Sequence, residues 1–172
     1  LRRIDQVAAL GLPELVSDKP RVLIDVVIGL YAARAQRHGL AAELMERAKQ
    51  DVAAGVDGAA ELYRLIGVSY LIAGRKEQGL ANLEAALRAC RSADDRCQSV
   101  GLANLGWAVA RLGDNAKALS YYEQALPLQK QVGDRSGEAT TLNNIGGVYY
   151  ALGDQAKALS YYEQALLLQK QL

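Results

Sequence analysis

The second half of this chain contains nearly the same nineteen-residue segment twice, forty positions apart. Residues 113–131 read GDNAKALSYYEQALPLQKQ and residues 153–171 read GDQAKALSYYEQALLLQKQ, so only two positions differ. Self-similarity at a fixed period of this size is typical of stacked-repeat proteins, in which each unit buries its apolar face against its neighbours. The sequence therefore predicts an array of similar units.

Each repeat is predicted to be a pair of helices. Within residues 138–152, large apolar side chains recur at i, i+3, i+7 and i+10, which is one face of a helix with a 3.6-residue period. Gly153 and Asp154 then separate this helix from the repeated segment, because a glycine past a helix end adopts a left-handed conformation and an aspartate can cap the next helix. The predicted fold class is therefore all-α.

These helical hairpins resemble the tetratricopeptide repeat family. The family is marked by a Leu/Ile-Gly pair and a tyrosine on the first helix, and by two alanines that flank an aromatic residue on the second. In the last unit these residues are Ile145, Gly146, Tyr149, Ala158, Tyr162 and Ala165. The two preceding units match through Leu105, Gly106, Ala118, Tyr122 and Ala125, and through Ile66, Gly67, Tyr70 and Ala86. The long period resembles that of kinesin-light-chain-like proteins and of many bacterial signalling proteins.

The resemblance implies a right-handed solenoid of stacked hairpins with about nine helices, whose concave surface is built by the first helix of each repeat. Gly79 and Leu83 depart from the family pattern. We also expect the chain to be a segment of a larger multidomain protein. The predicted segments are an N-terminal helix and turn at 1–19, a degenerate helical hairpin at 20–55, and tetratricopeptide-like repeats at 57–93, 95–133 and 135–172.

Composition argues against several classes of function. The formal net charge of +1 is too small for a protein that neutralises many phosphates, so no nucleic-acid partner is expected. The longest apolar run, residues 22–33, contains Asp25 and is too short to span a bilayer. With no visible signal peptide, the expectation is a cytoplasmic protein without a membrane partner.

The sequence also lacks a grouping that suggests chemistry. Cys90 and Cys97 have no metal-ligand spacing, and His38, the single histidine, is distant in sequence, so neither a metal site nor a cofactor is expected. No serine or cysteine is placed to form a triad, and the protein is not expected to be an enzyme. The favoured interpretation of the two cysteines is a pair of reduced thiols; the alternative is a disulfide across a helix–helix turn.

Pro127 falls inside a predicted helix, whereas the twin repeat has Leu167 at that position. A proline there removes the hydrogen bond to the carbonyl of Glu123. Because the two repeats are otherwise so alike, we predict a local kink or a re-aimed last turn and no break.

The resemblance implies that the inner face of the first helices binds a peptide or a partner helix. Of the paired tyrosines, Tyr122, Tyr149 and Tyr162 are expected to pack in the core. Applied position by position, the family pattern gives these partner-binding residues: Arg64, Val68, Asn104, Trp107, Arg111, Asn143, Asn144, Gly147 and Tyr150.

Two features of that set are the most specific. Asn104 and Asn144 lie at the same repeat position, and each amide could pair with the backbone of an extended ligand; alternatively, both are satisfied by the neighbouring helix. Trp107 replaces Gly147 of the twin repeat, and a core position would not accept both residues. We therefore predict that Trp107 is at least partly exposed and that it forms, with Arg111 one turn later, a site for an apolar or acidic peptide feature.

The predicted function is therefore protein–protein recognition, as a sensor or scaffold segment. The competing interpretation is structural: residues 166–168 are all leucine, and the uncovered C-terminal helix would stack on another copy to form a homo-oligomer.

Overall fold

The computed structural model describes Asp25, Gly29, Ala32, Ala33, residues 35–50 and residues 59–172. The predicted N-terminal helix and turn at 1–19 lie outside these residues, as does much of the predicted hairpin at 20–55.

Seven helices form the described part of the chain, and these residues contain no strand. The predicted all-α class is confirmed; the predicted total of about nine helices includes residues outside the described ones. The helices are α1 (His38–Gln50), α2 (Ala59–Ile72), α3 (Lys76–Ala89), α4 (Asp95–Arg111), α5 (Asn115–Gln131), α6 (Arg135–Ala151) and α7 (Gln155–Gln169).

The chain comprises two compact units, Leu1–Cys90 and Arg91–Leu172. In the first unit, α2 and α3 are in contact, and two glycines lie where they meet. A Cβ added to Gly67 would lie 2.9 Å from the carbonyl oxygen of Gly79, and one added to Gly79 would lie 2.5 Å from the Leu71 side chain. Gly79 and Leu83 therefore depart from the family pattern together: the second glycine brings the helices close, and Leu83 fills the place of an aromatic ring.

In the second unit, α4 pairs with α5 and α6 pairs with α7. In each hairpin a tyrosine ring of the second helix covers a glycine of the first. A Cβ on Gly106 would lie 2.6 Å from the Tyr122 ring, and one on Gly146 would lie 2.7 Å from the Tyr162 ring. The small residues are thus required because no side chain fits between glycine and ring.

Glycine followed by aspartate forms the turn inside both hairpins, as predicted. Gly113 and Gly153 have φ of 92° and 82°, which glycine adopts without steric cost. The carboxylates of Asp114 and Asp154 then accept hydrogen bonds from backbone N–H groups three residues later, at 3.0 and 3.1 Å, and cap the second helices.

The ends of each hairpin are tied together by a polar contact at equivalent positions. The Gln131 amide donates to the Asp95 carboxylate at 2.7 Å, and in the next hairpin the Arg135 guanidinium donates to the Gln171 side chain. The donor lies on the second helix in one hairpin and on the first helix in the other, but the contact joins the same two ends of the hairpin.

Two local predictions have opposite outcomes. α5 continues through Pro127 without a break, as predicted. The prediction of two reduced thiols is wrong, because Cys90 and Cys97 are both disulfide-bonded. Cys90 directly follows α3, and Cys97 lies in the first turn of α4.

Candidate functional site

A cavity of roughly 500 Å³ opens in the second unit and is lined by residues of α4, α5, α6 and α7. Its walls are the first helices of the two hairpins, α4 and α6, which are direct neighbours. Tyr122 and Tyr162, the two rings that cover the hairpin glycines, contribute from the second helices. This cavity is called the α4–α6 groove below.

Trp107 and Arg111 line the α4 wall one helical turn apart. The guanidinium carbon of Arg111 lies 5.3 Å from the centroid of the Trp107 ring, within cation–π range. The indole is half-buried and the arginine is exposed, so Trp107 is partly exposed as predicted. The stacked pair offers an apolar surface and a positive charge side by side.

Gly147 lies on the α6 wall, at the position that Trp107 occupies on α4. A Cβ added there would meet one heavy atom within 4 Å, the Tyr162 hydroxyl oxygen at 3.7 Å. The groove therefore has an aromatic wall on one side and bare helix backbone on the other, and the missing side chain leaves space for a ligand.

Asn143 and Asn144 also line the α6 wall. Asn143 is exposed, whereas Asn144 is half-buried and forms a hydrogen bond with the Tyr122 hydroxyl. Burial raises the pKa of Tyr122 well above its usual range, and the Asn144 hydrogen bond lowers it by a smaller amount. The Asn144 side chain therefore already has one hydrogen-bond partner within the protein, and the exposed Asn143 amide is more available to a ligand.

Two predicted residues of the second unit do not line the groove. Asn104 is half-buried, and its side-chain N–H donates to the Val100 carbonyl at 2.8 Å on its own helix. Tyr150 is 66% exposed and is not among the residues that line the cavity. The two equivalent asparagines therefore have different hydrogen-bond partners: Asn104 bonds to its own helix, and Asn144 bonds to Tyr122.

The other two predicted residues, Arg64 and Val68, lie on α2 in the first unit. Arg64 donates to both carboxylate oxygens of Glu61, at 2.5 and 2.7 Å, and these hydrogen bonds raise the pKa of the guanidinium. Two of its five N–H donors are therefore engaged within α2. The structure brings together Trp107, Arg111, Asn143, Asn144 and Gly147 and leaves Arg64, Val68, Asn104 and Tyr150 elsewhere.

Sequence reasoning missed Asn115 and the exposed side of Tyr162. Asn115 is the first residue of α5 and adds a third amide to the groove. A signal was present, because position 115 is one of the two that differ between the repeated segments. Tyr162 was assigned to the core, yet it is only half-buried, and its ring edge reaches the cavity.

The groove carries a positive electrostatic bias. Among the described residues that line it, Arg111 alone is charged, and the polar groups around it are amides and phenols. Elsewhere in the described ranges, no three His, Cys, Asp or Glu side chains are grouped to hold a metal ion. In the same part of the chain, every helix is too short or too polar to cross a bilayer.

With the fold and groove established, comparison with known proteins identifies the family. The family model described as the tetratricopeptide repeat matches residues 58–131 and 102–171, which together cover most of the chain. The chain belongs to the tetratricopeptide repeat family, as its sequence resemblance indicated. None of the curated proteins matches the sequence significantly.

Several solved structures share the fold at low sequence identity. BtubC (BKLC) from P. vanneervenii superposes with a TM-score of 0.77 at 22% identity, over 87% of this chain and 63% of that one. Aspartyl phosphate phosphatase F from Bacillus subtilis gives 0.77 at 16% identity, over 98% and 44%. The Rap conjugation gene regulator of plasmid pLS20, solved in complex with the Phr* peptide, gives 0.75 at 19% identity, over 84% and 41%. The chain thus spans less than two-thirds of the length of each of these proteins.

Proposed function

We propose that this chain is a protein–protein interaction module that binds a peptide segment of a partner in the α4–α6 groove. The observation that carries the proposal is the pairing of the Trp107–Arg111 stack with the vacant side-chain position at Gly147. Aromatic and arginine side chains supply a disproportionate share of the energy of protein interfaces. Here they face a space that the fold leaves unfilled.

The groove's chemistry selects the ligand. An apolar side chain of the peptide packs on the Trp107 ring, and a neighbouring carboxylate pairs with Arg111, which has no acidic neighbour among the described lining residues. The amides of Asn143 and Asn115 can each donate to and accept from a peptide backbone. The proposed role is binding, without a reaction at the groove.

A relative in fold supports a peptide ligand. The Rap regulator was solved in complex with a peptide, and its chain superposes on this one at a TM-score of 0.75. That likeness concerns the fold alone; the proposal for this chain depends on its own groove residues.

Selection from a random peptide library on the immobilised chain tests the proposal. The selected peptides are expected to combine an apolar residue with an acidic one, and Trp107→Ala should weaken their binding by more than about 1 kcal/mol. Arg111→Gln should weaken acidic peptides specifically, whereas Arg88→Gln, an exposed arginine of α3, serves as the matched control. Peptides whose affinity is unchanged by Trp107→Ala would contradict the proposed site.

A further inference from the structure

The residues that line the α4–α6 groove form two rows that run along the helices. On α6, the row is Asn143, Gly147 and Ala151, which recur every four residues; on α4, Trp107 is followed four residues later by Arg111. Residues four apart lie on one side of a helix, about 6 Å from each other along its axis. The α6 row therefore covers about 12 Å of the length of the groove.

The groove is longer than it is wide. The helices α4 and α6 are direct neighbours, and the axes of packed helices lie about 8–10 Å apart, so their side chains leave less than that distance between the two walls. The position at Gly147 widens the space locally, because a Cβ there would have one heavy atom within 4 Å. The groove therefore fits a ligand whose long axis is parallel to α4 and α6.

An extended peptide matches the spacing of these rows. Two residues of an extended strand advance about 6.4–6.8 Å, and side chains two residues apart point to the same face. An apolar side chain on the Trp107 ring therefore places the side chain two residues away close to Arg111. The distance between the two groove residues agrees with this register, because the Arg111 guanidinium carbon lies 5.3 Å from the centroid of the Trp107 ring.

The amides along the groove favour an extended ligand over a helical one. A helix also brings side chains within about 6 Å, at four-residue spacing, but its backbone N–H and C=O groups are bonded to each other. Asn143 lies one turn before Gly147, and Asn115 follows the Gly-Asp turn after α4. Both amides line the groove, and the backbone of an extended peptide offers each of them a donor and an acceptor.

We propose that the α4–α6 groove binds an extended peptide parallel to its helices and recognises an apolar residue and an acidic residue two positions apart. This inference rests on the proposed function and specifies its ligand. Trp107 and the open position at Gly147 hold the apolar side chain, and Arg111 pairs with the carboxylate. An acidic residue one or three positions from the apolar one lies on the opposite face of the strand, away from Arg111.

Four symmetrical peptides test this register without an assumption about the direction of binding. Each has a central leucine, two aspartates and otherwise alanine and serine, and the aspartates lie one, two, three or four positions from the leucine on both sides. All four therefore have the same composition and charge. Fluorescence anisotropy of the labelled peptides with the full chain should show the tightest binding at a separation of two positions. The preference should be about threefold or more, as expected for one exposed ion pair.

Three variants separate this register from a general attraction between charges. Arg111→Gln should bring the four affinities within about twofold of one another, because the carboxylates lose their partner. Arg88→Gln, which changes an exposed arginine of α3, should leave the preference for two positions unchanged. Trp107→Ala should weaken all four peptides, because each of them places its leucine on the indole ring.

The remaining outcomes distinguish this inference from the proposed function. Tightest binding at a separation of three or four positions would overturn the inference, because that spacing fits a helix, and so would equal affinities for all four peptides. Failure of all four to bind a protein that does bind library-selected peptides would overturn it and leave the proposed function standing. If the library yields no peptide whose binding depends on Trp107, the proposed function fails and this inference fails with it.

Discussion

Trp107 on α4 and Gly147 on α6 occupy equivalent positions of consecutive repeats and line opposite walls of one cavity. The pairing explains how two hairpins with nearly identical second helices form an asymmetric site. One repeat supplies the largest side chain in the sequence, and the other supplies none. We expect that the groove can be altered without loss of the hairpins, because Trp107 is partly exposed and a Cβ at Gly147 would meet only the Tyr162 hydroxyl.

Two adjacent glycines of α6 should respond oppositely to alanine. Gly146→Ala places a Cβ 2.7 Å from the Tyr162 ring and should destabilise the protein by about 1–3 kcal/mol. Gly147→Ala meets nothing closer than 3.7 Å and should stabilise it by up to about 1 kcal/mol, because alanine favours the helix. Urea unfolding followed by circular dichroism measures both. Equal effects of the two changes would contradict the packing described.

Pro127 and Leu167 permit a reciprocal exchange between twin helices. Pro127→Leu should raise the free energy of unfolding by about 1–3 kcal/mol, because it restores an N–H for the Glu123 carbonyl at an exposed position. Leu167→Pro should lower it by a similar amount through the same bond in α7. Thermal unfolding of the two variants checks this, and a proline that costs nothing in α7 would argue against it.

Much of this packing could be predicted from sequence because it repeats. The glycine and tyrosine positions recur forty residues apart, so the repeat pattern that predicts one glycine–tyrosine contact also predicts the other. The Gly-Asp turns could be predicted because glycine favours the left-handed conformation past a helix end. Departures from the family pattern at Gly79 and Leu83 were visible, but their mutual compensation required the distance between α2 and α3.

The groove could be predicted only in part. Positions on α4 and α6 were placed correctly where the side chain is rigid or absent, as for Trp107 and Gly147. Arg111, Asn143 and Asn144 also line the groove as predicted, but the hydrogen bonds of the amides could not be predicted: the Asn104 amide bonds to its own helix, and Asn144 bonds to Tyr122. Sequence periodicity predicts which side of a helix a residue lies on. It does not predict which group forms a hydrogen bond with an asparagine side chain.

Tyr122 should make stability depend on alkaline pH. Burial raises its pKa in the folded protein above the unfolded value of about 10, so its contribution is fully present below pH 10 and is lost as pH rises through the folded value. Tyr122→Phe should cost about 1 kcal/mol at pH 7 through the lost hydrogen bond with Asn144, and that deficit should shrink near pH 11. Tyr150→Phe, an exposed control, should change neither value.

The cysteines give a chemical test of the corrected prediction. Thiol titration of the unfolded protein without reductant should detect no free thiol, and after reduction it should detect two. Two thiols in the unreduced sample would restore the interpretation that the structure overturns.

The central claim, that the α4–α6 groove binds a peptide, is tested most directly with the fluorescence of Trp107, which is the single tryptophan of the sequence. Titration with a library-selected peptide should shift its emission. Gly147→Leu should abolish the shift and the binding while the protein remains at least as stable, because leucine fills the open position and favours the helix. Peptide binding that leaves the emission unchanged and persists in Gly147→Leu would contradict the account.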